Sequence, residues 1–260
     1  MDPSISLTRR GAVAQLALNR PSVHNAFDAG LIDSLQAALE QLNDDPDVRV
    51  VVLTGNGSTF SAGADLNWML GMARATELEN RRDSLRLAKL MHTLAFLSKP
   101  TIAKVNGSSY GGGVGLVACC DIAIGTPEAR FGLTESKLGL LPAVISPYVI
   151  AAIGARQARR WFATAEIFDA AEALRIGLLH QVVASDQLDA AVQRQIDLLM
   201  KAGPMASATA KALVRRVAAA GGSAAADDAN AELIASLRVS PEGQEGISAF
   251  LDKRKPAWCA

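Results

Sequence analysis

The amino-acid sequence predicts an α/β fold, and three observations carry the prediction. Short β-branched runs recur along the first two thirds of the chain, helical apolar periodicity fills the gaps between them, and half of the 260 residues are hydrophobic. That composition supplies one large core and rules out a disordered chain. Strands are expected at Ile5 to Leu7, Val13 to Leu18 and Val48 to Leu53. Between the second and third, Leu31, Ile32, Leu35, Ala38, Leu39 and Leu42 share one 3.6-period face. Asp28 can cap the start of that helix and Pro46 follows its end. Two further strands, Thr101 to Val105 and Ile122 to Ile124, bracket a glycine-rich turn and a short apolar helix, Val114 to Cys120. The charged segment Arg74 to Leu97 before them reads as helix. Strands alternating with helices over residues 1–185 make this region the α/β core.

Composition changes near Asp186. From there the chain is a series of alanine-rich helical patterns, broken at Gly203 and Pro204, at Gly221 and Gly222, and at Pro241. Residues 186–260 are therefore expected to form an all-helical region, with more apolar surface than an appendage buries alone, which suggests docking on another subunit. The stretch Leu138 to Ala155 has no charge, but Pro142, Ser146, Pro147 and Gly154 interrupt it. It is expected to be buried interior rather than a membrane helix.

The 26 basic and 26 acidic residues cancel, so no global basic field drives nucleic-acid binding. Cys119, Cys120 and Cys259 give neither a disulfide framework nor metal-ligand spacing, which fits a reducing cytoplasm. Met1 to Leu7 has no basic-then-apolar pattern, so no secretory signal is expected.

Two glycine-bearing turns offer chemistry. Phe60 to Leu66, FSAGADL, has small residues that let a ligand approach the backbone amides. Asn106 to Gly115, NGSSYGGGVG, opens a helix whose first amides suit developing negative charge. Close packing alone would also explain either turn, but together they look like a pair of backbone donors. The run Gly111, Gly112, Gly113, Gly115 lacks the GxGxxG spacing of a dinucleotide site. Downstream, FGLTESKLGLL places a lone carboxylate, Glu135, just before the charge-free stretch, where an apolar environment would raise its pKa and make it a proton shuttle. The plainer reading makes it a solvated loop residue or a partner of Lys137.

Other candidates are poorer. His24, His92 and His180 are scattered, Ser61 and Ser108 lack a nucleophile-elbow context, and the paired cysteines read as inert packing. Trp68 and Met69 are either core or the wall of an acyl pocket.

NRPSVHNAF at Asn19 to Phe27, FSAGADL, the GGG turn leading into CCDIAI, and FGLTESKLGLLP resemble, in order and spacing, the enoyl-CoA hydratase/isomerase (crotonase) family across nearly the whole chain. The resemblance implies a spiral of ββα units with a C-terminal helical trimerisation region. It also implies trimers or dimers of trimers, acyl-CoA thioester substrates, and no metal or redox cofactor. Carried over by position, the N–H groups of Ala64 and Gly112 become an oxyanion hole, each donor worth about 3 kcal/mol of barrier. Ala26, Ala62, Asp65, Leu66 and Gly111 match the CoA groove, Phe250 and Lys253 match tail positions that approach CoA, and Glu135 matches one of two catalytic glutamates. Neutrality overall then leaves the CoA phosphates to local groups such as Arg20, His24 and Lys253 to Lys255.

The sequence departs from the family at the second glutamate, whose position is Gly115, and in the continuation PAVISPYV at Pro142 to Val149. The first expectation is a hydratase of 2-enoyl-CoA thioesters, because this variant resembles a branch associated with branched, carboxylated substrates such as 3-methylglutaconyl-CoA or a carboxygeranoyl-CoA in leucine or terpenoid breakdown. The alternative is an enoyl-CoA isomerase, for which one carboxylate suffices. A third reading is an idle CoA-binding or scaffold protein.

Overall fold

A computed structural model describes residues 3–220 and 223–259. Its strands form two sheets. The larger has the order β1-β2-β3-β5-β7-β10, with β1 (Ile5–Arg10) antiparallel to β2 (Val13–Leu18). Parallel pairings then join β2 to β3 (Val50–Gly55), β5 (Thr101–Val105), β7 (Ile122–Gly125) and β10 (Gln181–Val182). The smaller sheet, β4 (Thr59–Ser61), β6 (Ser108–Tyr110), β8 (Arg130–Gly132) and β9 (Ile167–Asp169), is parallel until β9 turns antiparallel to β8. A strand of each sheet followed by helix recurs three times, from β3, β5 and β7, and winds the chain into a spiral of ββα units.

The large sheet is covered on both faces, as parallel sheets usually are. Along β3 the period of two sends Val51 and Leu53 into the main core and Val50 and Val52 into a second cluster with Ile102, Ile124 and Ile196. Helix α1 (Ala29–Asp44) packs all six expected apolar residues inward, and Asp28 accepts the Leu31 N–H. The segment expected as one helix from Arg74 contains a break. Helix α2 spans Leu66–Arg74, and Thr76 then caps α3 (Glu77–Ala95) in a reciprocal box with Glu79. Helices α4 (Gly112–Cys119), α5 (Ser146–Thr164) and α6 (Ala170–Arg175) complete the spiral.

After β10 the described residues hold helices only: α7 (Leu188–Lys201), α8 (Pro204–Ala220), α9 (Ala224–Val239) and α10 (Pro241–Leu251). The breaks at Gly203 and Pro241 are present, and the one at Gly221 and Gly222 lies outside the described residues. The charge-free stretch is not buried throughout. Leu138, Leu140 and Leu141 are 58–69% exposed, whereas Pro142, Ile145, Val149 and Ile153 face inward. Absence of charge misled there because α5 is amphipathic and the leucines sit on a turn outside it. No helix among the described residues is long and apolar enough to cross a membrane.

Candidate active site

Strands β4, β6 and β8 are neighbours and run parallel, so their C-terminal ends open on one side. Each end delivers one motif. β4 runs into Ala62 to Asp65 and α2, β6 into Gly111 and α4, and β8 into a 3-10 turn, Thr134–Leu138, that carries Glu135. The turns interlock where side chains are missing. At Gly63, φ +85°, a Cβ would stand 2.9 Å from Tyr110 O, so a larger residue would push the turns apart. The Gly111 N–H donates to Gly132 O at 2.9 Å, tying the second turn to β8.

One donor of the expected pair is aimed by Phe27. Its N–H donates to Gly63 O at 2.6 Å, and its carbonyl accepts the Asp65 N–H at 2.8 Å, a one-residue parallel bridge with Ala64 between. In such a bridge the middle residue's own N–H faces away from the partner strand. Among the described residues the Ala64 N–H donates to no protein acceptor. The Gly112 N–H is likewise without one, as the first amide of α4. The buried Phe27 ring lies beneath it, with Cε2 3.3 Å from where a Gly112 Cβ would be.

Behind this turn stands Arg20, whose guanidinium donates to Ala26 O at 2.6 Å and pairs with Asp28 at 2.9 Å and Asp65 at 3.1 Å. Arg20 is thus committed inside the chain and is not a free cation for phosphates, contrary to expectation. Asp65 is buried and accepts the Asn67 and Trp68 N–H groups. Burial pushes its carboxyl up, but those amides and Arg20 outweigh it and hold the group below the usual carboxylate range. Ala26 is buried and Ala62 half-buried, with the Ala62 N–H spent on His24 O.

Glu135 is half-buried beside this pair of donors. Its Oε1 lies 3.1 Å from the position of a Gly111 Cβ, and its Oε2 is buried without a hydrogen-bond partner among the described residues. Desolvation raises its pKa, against a smaller opposing effect from its own backbone N–H. No ion pair joins it to Lys137 among the described residues. At Gly115, where the resemblance expects a second glutamate, a Cβ would overlap Ile145 Cγ2 and stand 3.3 Å from Met91 Cε.

Leu66 follows the Ala64 turn directly, opening α2, and is 77% exposed. Two expected residues lie on the C-terminal segment. Phe250, on α10, is 83% exposed, and Lys253 follows that helix at φ +54°. Their segment is fastened through Trp258 O to Arg49, at the entry of β3 and so at the end opposite Gly55. No hydrogen bond or ion pair among the described residues joins Phe250 or Lys253 to the Glu135 turn. Sequence reading missed Phe27 as a backbone clamp and Asn25, which is fully buried and donates to Asn56 O and Thr59 O. Both stand in the NRPSVHNAF motif, the one signal for them. Cys119 and Cys120 are inert as expected, burial pushing the Cys120 thiol up to about 12. No cluster of metal-ligating side chains occurs among the described residues.

A family model described as enoyl-CoA hydratase/isomerase matches residues 8–260. A solved enoyl-CoA hydratase from Shewanella pealeana superposes with a TM-score of 0.95 at 45% identity, covering 98% of this chain and 96% of that one. The 2,3-dehydroadipyl-CoA hydratase of Escherichia coli is 35% identical over 96% of both chains. The crotonyl-CoA hydratase of Syntrophomonas wolfei is 32% identical over 97% of this chain and 96% of its own. Sequence, spiral and turn geometry agree, and the chain belongs to the enoyl-CoA hydratase/isomerase family.

Proposed function

We propose that the protein is a hydro-lyase adding water across the C2=C3 bond of a 2-enoyl-CoA thioester, and that Glu135, Ala64 and Gly112 carry the reaction. The observation that supports this most is the desolvated Glu135 carboxylate, its Oε2 without a hydrogen-bond partner among the described residues, beside two backbone N–H groups that also lack one there. The thioester oxygen accepts from Ala64 and Gly112. Glu135 takes a proton from water as the oxygen bonds to C3, and the C=C electrons move onto the thioester oxygen as an enolate. The enolate then collapses, taking the proton from Glu135 at C2. One group thus serves as base and acid, and two fixed donors stabilise the charge between the steps.

A carboxylated or branched acyl group fits the motif variant, and the relative named 2,3-dehydroadipyl-CoA hydratase supports a carboxylated one. The exposed apolar residues Val214, Val239 and Leu251 support assembly of copies through the helical region, residues 186–260.

A second reading, an isomerase moving a 3-ene to a 2-ene, is favoured by Ile145 filling the place of a Cβ at 115, which leaves Glu135 as the one carboxylate of the two that the resemblance implies. One assay separates the two. Hydration of crotonyl-CoA or 3-methylglutaconyl-CoA removes the ultraviolet band of the conjugated thioester, and isomerisation of a 3-enoyl-CoA creates it. Loss of the band is expected. CoA binding without turnover of either class would overturn both readings and leave a scaffold protein.

A further inference from the structure

On α4 the Gly115 N–H donates to Gly111 O at 3.2 Å, so the two glycines stand one helical turn apart, about 5 Å. Each vacancy is filled from another element. Glu135 Oε1 comes to 3.1 Å of the Gly111 Cβ position, and at Gly115 the missing Cβ is replaced by Ile145 Cγ2, with Ile145 Cβ at 2.9 Å. Ile145 and Met91 are both buried, so they seal this space instead of lining an open pocket. A side chain at 115 would start about one turn from the Glu135 carboxylate, within reach of a second acid–base group.

We infer that Ile145 is a specificity-determining residue: it fills the space a side chain at position 115 would need to flank Glu135. It thereby confines the site to chemistry in which one carboxylate both removes and returns the proton. The consequence for turnover rests on the function proposed above, but the steric relationship does not. Ile145 precedes α5 at the turn that follows the Glu135 segment, so the residue that excludes a second acid is carried on the same loop as the first.

Melting temperatures test the geometry without any substrate. Gly115→Ala should lower Tm by roughly 4–8 °C in the wild-type background. In an Ile145→Ala background, where Cγ2 is gone and only Cβ remains, at 2.9 Å, the same added methyl should cost at most half as much. An Ile145→Val background keeps Cγ2 and should keep the loss. An equal loss in all three backgrounds would overturn the proposal.

Turnover tests the role. Gly115→Glu combined with Ile145→Ala should hydrate crotonyl-CoA at least tenfold faster than Ile145→Ala alone, and Gly115→Gln in the same background should gain nothing. A folded Glu variant without that gain would reduce Ile145 to packing and overturn the role. If the wild type turned over no enoyl-CoA at all, the function proposed above would fall, and the Tm series would still decide whether Ile145 excludes a side chain at 115.

Discussion

Arg20 reaches across 45 residues of sequence to hold Asp65, one guanidinium nitrogen lying 3.1 Å from the carboxylate. The same nitrogen meets Asp28, and its twin takes Ala26 O. Asp65 in turn caps α2 and gives its N–H to Phe27 O, the bridge that turns the Ala64 N–H outward. One guanidinium therefore fixes both sides of the clamp that turns this backbone donor outward.

Arg20→Lys should consequently lower kcat more than it raises KM. A lysine offers a point charge where three acceptors need a planar fork. Losing one aimed oxyanion donor costs about 10²–10³ in kcat, and a displaced donor should cost roughly tenfold to a hundredfold of it. Steady-state kinetics on a 2-enoyl-CoA check this. A rise in KM with kcat intact would return Arg20 to the role of a ligand-binding cation.

Gly113 leaves no room for a methyl group, since a Cβ there would lie 2.8 Å from Ser61 Cβ and from Ser109 Oγ and 2.9 Å from Ser61 O. Two of those contacts belong to β4, across from α4, and neither strand can retreat without moving a turn of the site. Gly113→Ala should destabilise the fold by about 1–3 kcal/mol and lower activity with it. Thermal melting read beside kcat would show the two falling together.

The large sheet apart from the two-residue β10, and α1, were legible because their signals are local and repeated: Leu31 to Leu42 mark a helical face, and Val48 to Leu53 are rich in β-branched residues on both faces. The small sheet was not legible. Its strands are three residues long, too short for a period of two to register, yet they deliver all three motifs of the site. The motifs themselves could be read, but what aims them is long-range. Nothing in the string ties Phe27 to Gly63 or Arg20 to Asp65. The void at Gly115 and the branched side chain that fills it are 30 positions apart in the sequence, and only packing reveals the match.

Lys211 of α8 is buried against Asp121, with Nζ 2.7 Å from the carboxylate, which also accepts from the Thr101 N–H and hydroxyl at the start of β5 and meets Arg215 at 3.8 Å. Desolvation lowers the lysine's pKa and Asp121 opposes the shift. Asp121→Ala would leave the Lys211 ammonium with the Lys99 carbonyl but no counter-charge, and the two Thr101 donors unpaired, a loss of about 2–4 kcal/mol after allowing for the partial exposure of Asp121. Lys211→Met combined with Asp121→Ala should recover part of it, read as the denaturation midpoint.

With Glu135 as the base proposed above, stability and activity should depend on pH with opposite signs. Its pKa is raised by desolvation in the folded chain, so between the unfolded value, about 4.3, and the folded one the native state holds more protons than the unfolded state. Stability therefore falls as pH rises through that window. Glu135→Gln abolishes this loss, so its Tm relative to the wild type should be higher at pH 8 than at pH 4. Activity runs the other way, because the base must be ionised: the acid limb of kcat/KM should lie above the usual carboxylate range, and Glu135→Gln should lose about 10²–10⁴ of kcat. Melting curves and a pH–rate profile on the same preparations measure both. A variant with full activity, or a wild-type acid limb at an ordinary carboxylate pKa, would remove Glu135 from the reaction.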